Sequence, residues 1–170
     1  MKNPLGLLLT LRPSLEPSAF RANPNPIVKP SVVASRRAII IDAGPLVAAI
    51  DANDSHHRWA RSTLPHLSGK LFTCEAVVAE AAHLLDNHPK ALPVLHRFLE
   101  RMEILPALHD DTDVIFALMK QFAPQMDVAD ACLVSIANRL KDSIVLTTDT
   151  RDFSTYRVPF ASPEGLYADP

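Results

Sequence analysis

The chain has 170 residues, of which 48% are hydrophobic and 21% are charged, a composition typical of one globular domain with a sizeable core. Its net charge of −2 is unevenly spread, because residues 1–37 contain six Lys/Arg and one acid, which leaves the remainder with a charge of −7. An acidic body excludes a broad nucleic-acid surface built from basic residues alone, and it suits a site that gathers carboxylates around a cation.

The first 36 residues differ from the rest of the chain. They contain six prolines, several serines and little periodicity, so we predict a disordered or weakly structured extension followed by a folded domain over residues 37–170. A targeting peptide or an over-long start are the alternatives for this segment. Its apolar stretch LGLLLTL is too short to span a bilayer.

From Arg37 onwards, short apolar runs alternate with longer amphipathic segments. Strands are predicted over residues 38–41, 71–73, 103–108 and 143–149, with a small edge strand near 158–160. Helices are predicted from Pro45 and over residues 56–67, 74–86, 91–102, 111–123 and 128–140, the second of them capped by Asp54 or Ser55. Strands separated by helices predict a parallel sheet covered on both faces.

The cysteines and the adjacent histidines predict structural roles. Cys74 and Cys132 lie in apolar stretches without a CxxC spacing, which is typical of core thiols in a reducing compartment such as the cytoplasm. His56 and His57 are neighbours on a predicted helix and therefore point to different faces, which argues against a metal pair.

Two predicted strands end in a carboxylate. The buried run of residues 38–41 is followed by Asp42, and the last long strand leads into Asp149 and Asp152. A polar turn is the alternative for the second pair. Because the carboxyl ends of parallel strands meet at one edge, we expect Asp42 to be exposed there to hold a metal, with Gly44 allowing close approach and the helix starting at Pro45.

Three further acids lie on predicted helices. Glu80 shares a helical face with Val77 and Leu84, although a boundary glutamate whose head reaches water would look the same. Asp127 directly precedes a helix, so an N-cap and a functional role are equally compatible with it. Asp130 falls in the stripe that faces the sheet, which favours a functional role.

Four acids therefore converge on one edge of the predicted sheet: Asp42, Glu80, Asp130 and Asp149. Without compensation, these charges would repel each other and raise each other's pKa values. Ligation by oxygen alone suits Mg²⁺ or Mn²⁺ better than zinc. Such an ion predicts phosphoryl transfer or phosphodiester hydrolysis, with Asp42 and Asp130 as the main metal ligands.

At these residues the sequence resembles the PIN-domain ribonucleases, and among them the VapC-type toxins of bacterial toxin–antitoxin pairs. The resemblance keeps the family's order through IIIDAGPLVAAID (39–51), DSHHRWA (54–60), TCEAVVAEAAHLL (73–85), MDVADACLVSIANRL (126–140) and IVLTTDTRDF (144–153). It implies a Rossmann-like three-layer α/β/α sandwich with a parallel central sheet, Mg²⁺ or Mn²⁺ dependence and cleavage of RNA. It also implies a small cognate antitoxin as inhibitor and, commonly, a homodimer.

The resemblance carries residue roles with it. It assigns the family's four catalytic acids to Asp42, Glu80, Asp130 and Asp149, and accessory positions to Asp127 and Asp152. Many relatives follow the first acid with Thr or Ser, whereas Ala43 and Gly44 stand here, so that hydroxyl is missing. Thr148 and Arg151 are candidates for contact with the substrate, and Arg157 is another, with a plain surface role as the alternative for both arginines.

Other functions fit the sequence less well. A haloacid-dehalogenase-like phosphatase needs a second Asp two residues after the first acid, where Gly44 stands, and the acids and lysine of a receiver domain are missing. An inactive PIN-like binding protein predicts loss of the acids, yet all four are present. A stand-alone RNA-processing nuclease is the main alternative to a toxin, and a neighbouring gene for a short antitoxin would distinguish the two.

Overall fold

The computed structural model describes residues 38–86 and 89–167. The predicted N-terminal extension lies outside the described residues. Within the described ranges, no helix combines the length and the apolar character that crossing a membrane requires.

The described residues form an α/β domain. Its strands are β1 (Ala38–Ile41), β2 (Lys70–Cys74), β3 (Glu103–Leu105), β4 (Ser143–Leu146), β5 (Phe160–Ser162) and β6 (Gly165–Tyr167). Its α-helices are α1 (Ala43–Ile50), α2 (His57–Thr63), α3 (Glu75–Leu84), α4 (Ala91–Leu99), α5 (Ala107–Asp110), α6 (Thr112–Gln121), α7 (Val128–Arg139) and α8 (Thr150–Tyr156). A short 3₁₀ helix, Leu64–His66, follows α2.

The strands form one sheet in the order β3-β2-β1-β4-β5-β6. All neighbours are parallel except β5 and β6, which are antiparallel. Strand β1 pairs with β2 on one side and β4 on the other, and all four of its residues are buried. This central position explains why its sequence is apolar throughout rather than alternating. The predicted mostly parallel sheet flanked by helices is confirmed.

The order of the strands creates a crevice beside the end of β1. The chain moves from β1 to β2 and β3 on one side, and then returns to place β4 on the other side. The register pairs Ile41 of β1 with Leu146 of β4, so the residues that follow these two strands leave the sheet side by side. In parallel α/β sheets, a reversal of this kind opens a crevice beyond the carboxyl ends of the strands.

The core contains the predicted buried faces. Leu133 and Ile136 of α7 are fully buried, and α7 packs against β1, β2 and β4. Cys74 and Cys132 are buried free thiols, as predicted. The ring Nδ1 of His57 lies 2.7 Å from the carbonyl oxygen of Ala48, which agrees with a structural role for this histidine.

Several predicted boundaries are wrong. The first helix begins at Ala43 rather than Pro45, because Asp42 caps it. The helix predicted over residues 56–67 ends at Thr63 and continues as the 3₁₀ helix, and its N-cap is His56 rather than Asp54 or Ser55. Asp54 instead accepts a hydrogen bond from the His56 N–H at 2.7 Å.

The prediction also missed the ends of two strands. Strand β3 ends at Leu105, because Pro106 precedes the short helix α5. Strand β4 ends at Leu146 rather than at residue 149, and the segment after it, for which a polar turn was the alternative, contains helix α8, which was not predicted. The last predicted strand lies at Phe160–Ser162, and it is not an edge strand because β6 pairs outside it.

Candidate active site

Asp42 lies in the crevice between β1 and α1. Its N–H donates to the carbonyl oxygen of Leu146 at 3.0 Å, which extends the pairing of β1 with β4 by one residue. Its Oδ1 accepts from the Ala43 N–H at 2.6 Å, and its Oδ2 accepts from the Thr147 O–H at 2.7 Å. The expectation that Asp42 would be exposed is wrong, since only 9% of its surface is accessible. The carboxylate is turned inward because it caps the helix that starts immediately after it.

The burial of Asp42 makes its ionisation unfavourable. Loss of contact with water raises the pKa of this carboxyl from 3.8 to about 7, against the effect of the hydrogen bonds from Thr147 and Ala43. The negative charges of Glu80 and Asp127 raise this pKa further. A buried acid surrounded by other acids is a group whose charged form a bound cation would stabilise.

Two acids stand at the start of α7. Asp127 is its N-cap, which is one of the two roles compatible with its sequence position, and its Oδ1 accepts from the Asp130 N–H at 2.9 Å. Asp130 is half-buried, and its Oδ2 accepts from the Tyr156 O–H at 2.9 Å. Burial raises the pKa of Asp130 to about 7, and the charges of Asp42 and Asp127 act in the same direction against the Tyr156 hydrogen bond. Asp42 and Asp130 therefore belong to one electrostatic cluster.

Glu80 joins this cluster from α3, which packs against α7. Its side chain is half-buried, and burial raises the pKa of its carboxyl. The charges of Asp127 and Asp130 raise that pKa further. The carboxyl of Glu80 therefore lies close enough to the acids of α7 for their charges to affect its ionisation.

The residues after β4 form the outer side of the crevice. Asp149 is exposed and is the N-cap of α8, where its Oδ1 accepts from the Asp152 N–H at 2.8 Å. The charge of Asp149 contributes to the raised pKa of Asp130. Arg151 Nε lies 3.8 Å from Asp152 Oδ1, with 85% of the arginine side chain accessible. Arg157, at the end of α8, is also exposed.

The structure therefore brings the four predicted acids into one electrostatic network. The charge of Asp127, for which an accessory position is predicted, raises the pKa values of Asp42, Glu80 and Asp130. Asp152 lies further out, where its charge acts on the hydroxyl of Tyr156.

Sequence reasoning missed two hydroxyl groups that hold the acids. Thr147 follows β4 directly and stands opposite Asp42, so the pairing of β1 with β4 would have identified it. No sequence pattern identified Tyr156, because it is placed next to Asp130 by helix α8, which was not predicted.

The family model for the PIN domain matches residues 39–159 of the chain. The chain belongs to the PIN domain family. No curated protein matches it significantly in sequence. This PIN domain is similar in fold to the crystal structure of Mycobacterium tuberculosis VapC20, a Sarcin-Ricin loop cleaving toxin, with 15% identity and a TM-score of 0.58 over 69% of this chain and 94% of that one. A second similar structure is FitAcB from Neisseria gonorrhoeae, with 19% identity and a TM-score of 0.49 over 74% of this chain and 97% of that one.

The acids of this PIN domain fit a cation that needs few protein ligands. Among the described residues, no group of three or more His, Cys, Asp or Glu side chains forms a ready-made metal cage. Mg²⁺ keeps several waters and binds through one or two carboxylates together with substrate phosphates, so it requires no such cage. Buried Asp42 and half-buried Asp130, both difficult to ionise without a counter-charge, match that mode of binding.

Proposed function

We propose that this PIN domain is a Mg²⁺- or Mn²⁺-dependent endoribonuclease. PIN domains are generally nucleases, and those nucleases generally use divalent metals. The observation that carries the proposal is the pair Asp42 and Asp130, two carboxyl groups that are wholly or partly withdrawn from water and held by neighbouring hydroxyl groups. Burial and the neighbouring acids raise both pKa values to about 7. A divalent cation would turn this unfavourable pair of carboxyls into stable anions.

In this proposal, Asp42 and Asp130 hold the metal, while Glu80, Asp127 and Asp149 add negative charge around it. When bound, the ion supplies the positive charge that stabilises the phosphodiester during in-line attack by water. Thr147 and Tyr156 are positioning residues. Their O–H groups donate to Asp42 at 2.7 Å and to Asp130 at 2.9 Å, and they orient the two carboxylates in the way that outer-shell hydrogen bonds orient metal ligands.

We further infer that the protein is the toxin of a type II toxin–antitoxin pair, acting in the cytoplasm. The five ordered sequence segments that resemble VapC-type toxins support this inference, and the fold shared with the VapC20 toxin agrees with it. The partners would then be an RNA substrate, a small cognate antitoxin and a second copy of the chain. The same site would also serve a stand-alone RNA-processing nuclease, so the toxin role needs its own test.

Cleavage of RNA by purified protein tests the nuclease proposal. We expect cleavage with Mg²⁺ or Mn²⁺, none with EDTA, and a roughly hundredfold to thousandfold loss of rate in Asp130→Asn, as for other groups that stabilise charge in a transition state. Asp113→Asn, which changes an exposed acid on α6, is the matched control and should cleave like the wild type. If Asp130→Asn cleaves as fast as the control, this assignment of the site is wrong.

Growth of cells that express the protein tests the toxin proposal separately. Induced wild-type protein should arrest growth and Asp130→Asn should not, while co-expression of a short protein from the neighbouring gene should restore growth. Efficient RNA cleavage in vitro without any growth arrest would favour the stand-alone processing nuclease.

A further inference from the structure

Three hydroxyl groups lie among the acids, and two of them are already engaged. The Thr147 O–H donates to Asp42, and the Tyr156 O–H donates to Asp130. Among the residues that the structure describes, no hydrogen-bond partner faces the hydroxyl of Thr148, which is half-buried. Thr148 is therefore the neutral donor that remains for a ligand.

The position of this hydroxyl depends on Gly44. A Cβ atom at position 44 would overlap Thr148 Oγ1 and would lie 3.2 Å from Thr148 Cβ. Gly44 is the second residue of α1 and lies two residues after the buried Asp42. Only glycine at this position leaves room for the Thr148 hydroxyl. Neither Ala43 nor Gly44 carries a hydroxyl, so Thr148 brings one to the start of α1 from the opposite side of the crevice.

The surroundings of Thr148 suit a phosphate group. Thr148 lines an open pocket of about 450 Å³, together with Asp149, Thr150, Arg151, Ser154 and Glu164. The lining includes two carboxylates, Asp149 and Glu164, which repel a phosphate when ionised, and the exposed guanidinium of Arg151, which attracts one. A neutral donor in this mixed lining can bind a phosphate oxygen without adding to the repulsion.

We propose that the Thr148 hydroxyl, admitted to the crevice by Gly44, is a substrate-binding group that donates a hydrogen bond to a phosphate of the RNA. This inference rests on the proposed ribonuclease function and adds a substrate contact to it. It assigns Gly44 a role that differs from the close backbone approach expected from the sequence, because the close neighbour of Gly44 is a side chain.

Four variants separate the hydroxyl from the shape of the side chain. Thr148→Val keeps the shape and removes the donor, and Thr148→Ser keeps the donor. The double variant Gly44→Ser/Thr148→Ala removes the hydroxyl that follows β4 and places one on α1, at the other side of the same space. Thr155→Val is the matched control, because Thr155 is exposed on α8 and does not itself line the pocket, and its hydroxyl donates only to the backbone carbonyl of Arg151.

Two measurements are made on each full-length variant, namely the affinity for a short fluorescent RNA in Ca²⁺ and the separate KM and kcat for cleavage in Mg²⁺. Thr148→Val should weaken RNA binding and raise KM by about tenfold, which corresponds to about 1.4 kcal/mol, while Thr155→Val changes neither. Thr148→Ser and the double variant should recover most of the affinity.

The outcomes distinguish this inference from the ribonuclease proposal. Thr148→Val binding RNA as tightly as the wild type overturns the role of Thr148, even if the wild type is an active nuclease. Wild-type protein that binds RNA but does not cleave it overturns the nuclease proposal, and the affinities of the variants still decide the role of Thr148. Wild-type protein that does not bind RNA overturns both.

Discussion

Replacing Asp42 with asparagine tests the idea that this buried acid makes the metal-free protein less stable at neutral pH. The side chain is buried, and its ionisation is opposed first by burial and then by neighbouring acids. Asn has the same shape as Asp and can still accept from the Ala43 N–H, but it carries no charge. Its amide nitrogen cannot accept the hydrogen bond from Thr147, so the pH dependence of stability is compared rather than the absolute stability. The substitution therefore removes the cost of ionisation and keeps the helix cap.

The size of the effect follows from the two pKa values of Asp42, about 7 in the folded protein and 3.8 ordinarily. The folded state holds the proton of Asp42 more tightly than the unfolded state does. The contribution of Asp42 to the free energy of unfolding therefore falls as the pH rises from 3.8 to about 7, and it is constant above that pH. At about 1.4 kcal/mol for each pKa unit, the full loss is about 4 kcal/mol. Roughly 3 kcal/mol of it falls between about pH 5 and pH 8.

Urea unfolding in EDTA at about pH 5 and pH 8 measures this loss. Over this interval, the free energy of unfolding of the wild type should fall by about 3 kcal/mol more than that of Asp42→Asn. Asp113→Asn, a change of an exposed acid, should follow the wild type. Equal pH dependence in the wild type and Asp42→Asn would show that Asp42 is not the buried group that titrates.

Three further predictions concern neighbouring residues. Tyr156→Phe removes a donor that lowers the pKa of Asp130, so the acid limb of the pH–rate profile for RNA cleavage should move to higher pH; an unmoved profile would exclude this positioning role. Ile40→Ala, in the fully buried centre of β1, should lower the free energy of unfolding in urea by roughly 3 to 4 kcal/mol, and a loss near zero would contradict its place in the core. Gly44→Ala should lower the free energy of unfolding by about 1 to 3 kcal/mol, because the added Cβ would overlap the side chain of Thr148. The loss should be clearly smaller when Thr148→Ala is already present, and equal losses in both backgrounds would disprove the contact.

The sequence predicted most of the elements because their apolar periodicity is strong. The run of residues 38–41 could only be a strand buried on both faces, and the stripe of α7 pointed to the sheet. Helix α8 was missed because its polar sequence, TRDFSTY, buries only Phe153 and Tyr156. A pattern with two buried positions in seven residues does not distinguish a short helix from a turn.

The site was predicted in its composition rather than in its geometry. The acids stood out because carboxylates beside apolar strands and helix faces are unusual. The inward turn of Asp42 was not predictable, since it depends on Thr147, which is 105 positions away in sequence. The contact between Gly44 and Thr148 likewise exists only because β1 and β4 are neighbours in the sheet.

Calorimetric titration of the metal-free protein with Mn²⁺ measures whether the acids of the crevice bind a divalent cation. We expect uptake by the wild type near neutral pH, accompanied by release of protons from Asp42 and Asp130, whose pKa values are about 7. Uptake should be lost in Asp130→Asn and kept in Asp113→Asn. No uptake by the wild type, or the same uptake by Asp130→Asn, would show that these acids do not bind the ion.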